Sequence, residues 1–313
     1  MNTGQQMQSL FSRFGEIDGV VIELHKELLA ININNSAAEA TIFLQGAQLT
    51  QYQPRKGQPV IWLSPDCEYK TGLPLRGGIP VCWPWFGALD KNPESIQSQV
   101  KIDEDLAHGF VRQLEWVVDS IQVVNPAETE LQMSLTLYPT EAWPFACKLI
   151  LKFIIGAQLT LSLEVQNNDS KPFQFSSVLH SYFAIANIEK TVVNGLDGKS
   201  YIDCLKDWEA FTQSGEVVID AEIDRIYETN QEDIRIVDSE GQRETTVACE
   251  GGANAVVWNP WVEKSKRLSQ FNDLAYQQML CVESANVGDD RIELAPGATH
   301  RIELTIKAEP LDN

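Results

Sequence analysis

Leu131-Gln132-Met133-Ser134-Leu135-Thr136-Leu137 alternates apolar and polar residues without a fault. In an extended chain successive side chains point to opposite faces, so this run puts Leu131, Met133, Leu135 and Leu137 on one side and polar groups on the other. Leu159-Thr160-Leu161-Ser162-Leu163-Glu164-Val165 repeats the pattern. Working outward, the same rhythm marks Ala40 to Leu44, Gln48 to Tyr52, Pro59 to Leu63, Phe173 to Ile185, Ile234 to Asp238, Thr245 to Cys249, Ala255 to Trp258, Met279 to Glu283 and Arg301 to Lys307. Turn signals such as Asn125-Pro126, Asn167-Asn168-Asp169, Asp197-Gly198 and Glu240-Gly241 separate the runs. Many short half-buried strands with no alternating helices predict an all-β fold, a large antiparallel sandwich. Met7, Leu10, Phe11 and Phe14 fall at helical spacing, which predicts a short N-terminal helix over 5–14 ending at Gly15.

Nothing in the 313 residues reads as a domain linker, so a single domain is expected over 1–313, with 1–15 as a helical extension. The polar stretch Ala88 to Asp105 reads as a surface loop, and Pro260 to Gln278 as a connection holding one short helix. A formal net charge of -20 repels phosphate backbones and anionic bilayers, which argues against nucleic-acid and membrane partners. No apolar run reaches membrane-spanning length. The first fourteen residues lack the basic and apolar blocks of a signal peptide, so the cytoplasm is the expected compartment. The six cysteines show no Cys-x-x-Cys pair and no histidine at ligand spacing, so they are expected as free thiols, mostly buried. A phosphate loop, a nucleophile elbow, a zinc-protease helix motif and a dinucleotide fingerprint are all absent. Neither cofactor nor metal is expected.

The least regular stretch is Leu75-Arg76-Gly77-Gly78-Ile79-Pro80-Val81-Cys82-Trp83-Pro84-Trp85-Phe86-Gly87. Its prolines exclude a helix and disfavour a ladder strand, leaving a rigid loop. Two readings stand: an aromatic core plug, or a surface where glycines admit close approach and Arg76 offers a fork of donors to an oxyanion. Of the four histidines, His25 and His300 read as surface residues. His108, followed by Gly109 at a loop end, is either structural or functional. His180 falls, by strand alternation, on the more polar face of Phe173 to Ile185 beside Ser176, Val178 and Tyr182. Glu283 ends an apolar strand, as a solvated cap or as a poised base.

Taken in order, Arg76-Gly77-Gly78-Ile79-Pro80-x-x-Trp83-Pro84-x-Phe86-Gly87, His108-Gly109-Phe110-Val111-Arg112, Leu179-His180-Ser181-Tyr182-Phe183, Asp224-Arg225-Ile226-Tyr227, Val257-Trp258-Asn259-Pro260-Trp261 and Cys281-Val282-Glu283 resemble the glucose-6-phosphate 1-epimerases, within the aldose 1-epimerase superfamily. The resemblance spans about residues 20–308. It implies a β-supersandwich like that of the galactose mutarotases, no cofactor, and interconversion of hexose-phosphate anomers. Carried over motif by motif, it implies His180 as general acid and Glu283 as general base. Arg76 and Arg112 would grip the phosphate, Asp224 would bind sugar hydroxyls, and His108 would lie beside the reacting end or the phosphate. The expected protonation is imidazolium for His180 and carboxylate for Glu283. Trp258 and Trp261, with the loop tryptophans, would either stack on the sugar or sit in the core. Ala107 departs from relatives that carry glutamine before His-Gly. The expected partner is a small hexose phosphate and the expected state a monomer. Two alternatives are an epimerase of unphosphorylated sugars such as galactose, and a non-catalytic sugar-phosphate-binding module.

Overall fold

The protein is described by a computed structural model covering residues 3–102 and 106–311. The expected helix forms over Thr3–Phe14, burying Leu10 and Phe14, and the Gly15 N–H closes its last turn on the Phe11 carbonyl at 2.9 Å. Glu128–Leu137, Cys147–Ile155 and Leu159–Asn167 pair as antiparallel neighbours. Cys147, Leu149, Leu151, Phe153 and Ile155 all point inward. A one-residue slip would turn that whole set to solvent at about 1.5–3 kcal/mol for each large side chain, and this fixes the register.

These strands belong to a nine-stranded sheet. A four-stranded sheet is built by Val20–His25, Leu28–Asn34, Ala38–Phe43 and Gln48–Pro54. The eight-stranded sheet runs Glu209–Thr212, Ser200–Asp203, Ile223–Glu228, Asn254–Asn259, Met279–Asn286, Ser177–Leu179, Val81–Cys82, with Tyr182–Ala184 also on Met279–Asn286. One hydrophobic cluster joins the helix to residues from every large sheet. The all-β antiparallel sandwich is therefore observed as expected.

Two central strands differ in kind from the rest. Asn254–Asn259 and Met279–Asn286 are buried at every position, on both faces, although they carry Asn254, Asn259, Glu283, Ser284 and Asn286. Strands of the half-buried class put such residues in water; here Asn259 donates instead to the Tyr276 and Met279 carbonyls and Asn286 to that of Gly251, whereas Glu283 Oε2 has no partner.

Phe173 to Ile185 is not one strand. It breaks into Phe173–Phe175, Ser177–Leu179 and Tyr182–Ala184. The cause lies in the proline-rich loop: the Ser176 N–H donates to the Pro84 carbonyl at 2.9 Å, His180 N–H to Pro80 at 3.1 Å, and Tyr182 N–H to Gly78 at 3.0 Å. These bonds keep the register of the Val178–Cys82 pair, but Pro80 and Pro84 have no N–H to return them. The register on Met279–Asn286 also runs unbroken across the gap, so His180 stays opposite Glu283 on the face of Val178 and Tyr182, as alternation predicts. Pro59 to Leu63 likewise forms no ladder strand, only isolated bridges from Ile61 to Phe183 and Leu63 to Gly77.

The loop itself combines both sequence readings. Trp83 and Trp85 are fully buried, Trp83 packing edge-on against Trp143 and Phe110, so they are core and not sugar platforms. Gly77 and Gly78 (φ 111 and 71) admit close approach, but of this chain's own backbone: a Cβ would stand 2.7 Å from the Trp62 carbonyl oxygen and 2.4 Å from that of Leu49. A short helix, Glu94–Gln97, lies in the stretch expected as a loop, and Pro260 to Gln278 holds the expected short helix at Trp261–Ser265. Asp103, Glu104 and Asp105 of the charged loop lie outside the described residues. His300 is half-buried and within 3.0 Å of Asn286 Oδ1, where a surface position was expected, because its strand crosses the end of Met279–Asn286. Four of the six cysteines are buried, and all are free.

Candidate active site

Strand register assembles the site. Asp224, Trp258 and Cys281 are opposed across three neighbouring strands, and the next row of the same face is Ile226, Val256 and Glu283. Two strand spacings, about 10 Å, separate Asp224 from the column holding Glu283. The common register of Ser177–Leu179 and Tyr182–Ala184 on Met279–Asn286 places His180 opposite Glu283, with Nδ1 3.2 Å from Oε1. The two atoms touch without hydrogen-bond alignment, and Glu283 Oε2 has no partner either. The imidazole is held by stacking on Tyr182 (4.7 Å between centroids, 6° between planes), with the Trp258 ring edge-on at 6.2 Å.

Burial decides the charge of this pair. Glu283 is 1 % exposed, and burial followed by repulsion from Asp224 raises its pKa well above the usual carboxylate range. Burial, then the fields of Arg112 and Arg76, pushes His180 down to about 3. Burial thus favours a neutral imidazole beside a carboxylic acid over the imidazolium and carboxylate expected from sequence. Both forms hold one proton, and they differ only in which residue carries it.

His108 lies beside them, its ring centroid 5.4 Å from that of His180 and 5.0 Å from Phe86. Its backbone is left-handed (φ 64) and its N–H donates to the Gly87 carbonyl at 2.8 Å. The Gly87 N–H donates in turn to His108 Nδ1 at 3.3 Å, which leaves the ring proton on Nε2. Burial first, then Arg112, keeps this ring neutral. Gly109 follows at φ 66, and a Cβ there would stand 1.8 Å from the Trp83 carbonyl oxygen. Gly109→Ala is accordingly expected to lower the melting temperature by several degrees, since strain at positive φ exceeds 1 kcal/mol before the backbone clash is added. Thermal unfolding followed by circular dichroism measures it; an unchanged midpoint would show that the Trp83–Gly109 bridge is dispensable.

Arg76 and Arg112 approach from the loop side. The Arg76 Nε donates to the Ser269 carbonyl at 3.3 Å, and its guanidinium also bonds the Tyr182 hydroxyl. Arg112 Nη2 donates to the Ala107 carbonyl at 2.8 Å, while its Nε is shut from solvent without a partner. The arginine ion pairs among the described residues belong to Arg55, Arg225, Arg291 and Arg301, so neither site arginine is neutralised by a carboxylate. Burial lowers the pKa of Arg112, and Arg76 adds to the effect. Two uncompensated guanidinium groups in a protein of net charge -20 form a local anion trap.

Asp224 is reached by Lys264 at 3.8 Å, which also pairs with Glu222 at 3.1 Å, and burial raises the Asp224 pKa. The six residues singled out in the sequence therefore surround one face of one sheet. Sequence reasoning missed Lys264 and Phe86 as site residues: the first sits in an unremarkable charged helix, and the second acts through its contact with His108. Trp258 does line the site, whereas Trp261 turns aside to pack on Tyr276. A broad cleft of about 610 Å³ opens next to Phe86 and continues over Ile202, Ile226 and Asn254, without reaching His180 or Glu283.

A family profile described as aldose 1-epimerase matches residues 30–307. The chain belongs to that family. Among its relatives, a protein of Cenchrus ciliaris named as a candidate glucose-6-phosphate 1-epimerase is 34% identical, over 96% of this chain and 89% of its own length. One of the same name from Escherichia coli K12 is 31% identical over 83% of each. Among solved structures, a candidate mutarotase from Salmonella typhimurium superposes with a TM-score of 0.84 at 26% identity, covering 97% of this chain and 99% of the other. A galactose 1-epimerase of Lactobacillus acidophilus shares the fold at a TM-score of 0.72 and 16% identity. The aldose 1-epimerase fold thus accounts for the whole described sandwich.

Proposed function

We propose that this chain is an isomerase that interconverts the α and β anomers of a hexose 6-phosphate, glucose 6-phosphate first among them. The observation that carries this reading is the 3.2 Å pairing of His180 with Glu283 beside two guanidinium groups that lack carboxylate partners. An acid–base pair alone serves any aldose. The unpaired arginines add the phosphate. The names of the relatives point the same way.

The phosphate does more than dock. Arg112 and Arg76 are what, after burial, disfavour a proton on His180. A dianion bound between them cancels that field, and the single shared proton moves from Glu283 to His180. Glu283 then takes the proton of the anomeric hydroxyl while His180 gives its proton to the ring oxygen, and the bond between C1 and the ring oxygen breaks. The open aldehyde turns about the bond between its first two carbons. Closure on the opposite face returns both protons, so the pair ends as it began and no cofactor is consumed. Asp224 and Lys264 hold ring hydroxyls, and neutral His108 offers its Nε2 proton near the reacting end. Each positioned acid or base supplies about 10²–10⁴-fold. The chain works as one domain and as a monomer in a reducing compartment, the cytoplasm, a reading supported by its single core cluster and its six free thiols.

Magnetisation exchange between the two anomeric protons tests this, with spontaneous ring opening subtracted and glucose and galactose run alongside. Acceleration confined to the phosphate supports the proposal. Acceleration of the free sugars alone moves the chain to the galactose type, and binding without acceleration makes it a sugar-phosphate module. His180→Asn should lose exchange by at least 100-fold while still binding glucose 6-phosphate. Full activity in that variant would remove His180 from the reaction.

A further inference from the structure

Cys281 plays no part in the reaction above, yet it stands two residues before Glu283 on the same strand, and its side chain faces the same side. An imidazole nitrogen of His180, Cys281 Sγ and a Glu283 carboxylate oxygen all lie within 4.8 Å of one another. All three residues are buried, and two of the donor atoms at the centre, His180 Nδ1 and Glu283 Oε2, lack any hydrogen-bond partner. Enclosed lone pairs without partners are rare and ask for an occupant.

We propose that His180, Cys281 and Glu283 form a zinc-binding site, and that a zinc ion seated there blocks the enzyme reversibly. A tetrahedral ion with Zn–N and Zn–O bonds of about 2.0–2.2 Å and a Zn–S bond of about 2.3 Å spaces its ligands about 3.3–3.6 Å apart. The imidazole and carboxylate are already at 3.2 Å, so only the thiol must close by about 1 Å, within the reach of a side-chain rotation. Thiolate and imidazole together select zinc or another late transition ion over magnesium or calcium. Three protein ligands leave a fourth position for water or another ligand, as in open zinc sites. Occupied by the ion, His180 and Glu283 can neither take nor give a proton.

The block rests on the proposed reaction, but the binding does not, and the two are read separately. Cobalt(II) is titrated into the purified full chain as a spectroscopic stand-in for zinc. The expected result is one ion per chain with the intense near-ultraviolet charge-transfer band of a cobalt–thiolate bond. That band should vanish in both Cys281→Ser and Cys281→Ala. In anomer exchange on glucose 6-phosphate, micromolar zinc should inhibit the unmodified protein and a chelator should restore it. The inhibition constant should rise at least tenfold in Cys281→Ser, which keeps its uninhibited rate. No thiolate band in the unmodified protein, or a band surviving both substitutions, overturns the site. A band that disappears as expected while zinc leaves exchange untouched retains the metal site but removes the block. If the chain shows no exchange at all, the proposed reaction fails and the cobalt spectrum still decides the site.

Discussion

Glu283→Gln is expected to slow anomer exchange by about 10²–10⁴-fold and, in the same molecule, to raise the melting temperature. The loss follows from removing the group that accepts the anomeric proton, while an amide of the same shape keeps the cleft filled. The gain follows from burial. An ordinary glutamate has a pKa of 4.5, and enclosure lifts that of Glu283 well above it. Above pH 4.5 the unfolded chain releases this proton and the folded chain keeps it, so folding becomes less favourable as the pH rises. The slope is at most about 1.4 kcal/mol per pH unit and ends where the folded carboxyl itself ionises. Glutamine has no such slope. The variant's advantage should therefore be small at pH 4 and grow toward pH 8, as read from thermal unfolding across that range. A variant less stable than the parent at every pH would mean that Glu283 is held ionised in the resting protein, and would restore the imidazolium–carboxylate pair expected from sequence. Retained exchange would remove Glu283 from the reaction altogether.

That reversal of charge marks the boundary of what the sequence makes legible. Leu131–Leu137 and Leu159–Val165 could be placed on strands because period two is a local property and one buried face enforces it. His180, Glu283, Arg76, Arg112, His108 and Asp224 could be named because their motifs stand in the order of a known family. Their protonation could not, since it depends on how many atoms surround each group, and neighbours in space are not neighbours in sequence. The break within Phe173 to Ile185 has the same origin. Its residues alternate well enough for one strand, but Pro84 and Pro80, which accept from the Ser176 and His180 N–H groups in register with the Val178–Cys82 pair, have no N–H to return the bond, and the ladder stops at each. Trp83 and Trp85 were undecided between core and cleft because aromatic composition suits both, and only packing against Trp143 and Phe110 settles them. Cys281 illustrates the converse. Its spacing from Glu283 was visible, but the third member of the cluster comes from a neighbouring strand that lies about a hundred residues away in sequence.

Replacing Arg112 by methionine should separate recognition from stability. Two charge-assisted hydrogen bonds to a phosphate are worth about 1.5–3 kcal/mol each, so losing this guanidinium should weaken glucose 6-phosphate by about 10²–10⁴-fold. Free glucose has nothing to place between the arginines and should be affected far less. The folded protein should respond in the opposite sense. Arg112 holds a positive charge in a largely enclosed place, with one hydrogen bond to the Ala107 carbonyl, no carboxylate and an Nε atom left without a partner. Replacing a poorly compensated buried charge with an apolar side chain of similar length often stabilises by about 1–4 kcal/mol. The loss of one backbone contact, about 1 kcal/mol, offsets only part of that. A higher melting temperature joined to a higher KM for glucose 6-phosphate alone would identify Arg112 as a charge kept for its ligand. An equal loss for glucose and glucose 6-phosphate would give it a different task, that of holding Ala107 and so the His108 loop in place. A fall in melting temperature would show that its hydrogen bond outweighs its burial. The phosphate also acts on the chemistry, since Arg112 is the larger of the two fields that keep a proton off His180. In the methionine variant that repulsion is gone before any ligand arrives, so the difference between kcat for glucose and for glucose 6-phosphate should narrow even as their KM values converge.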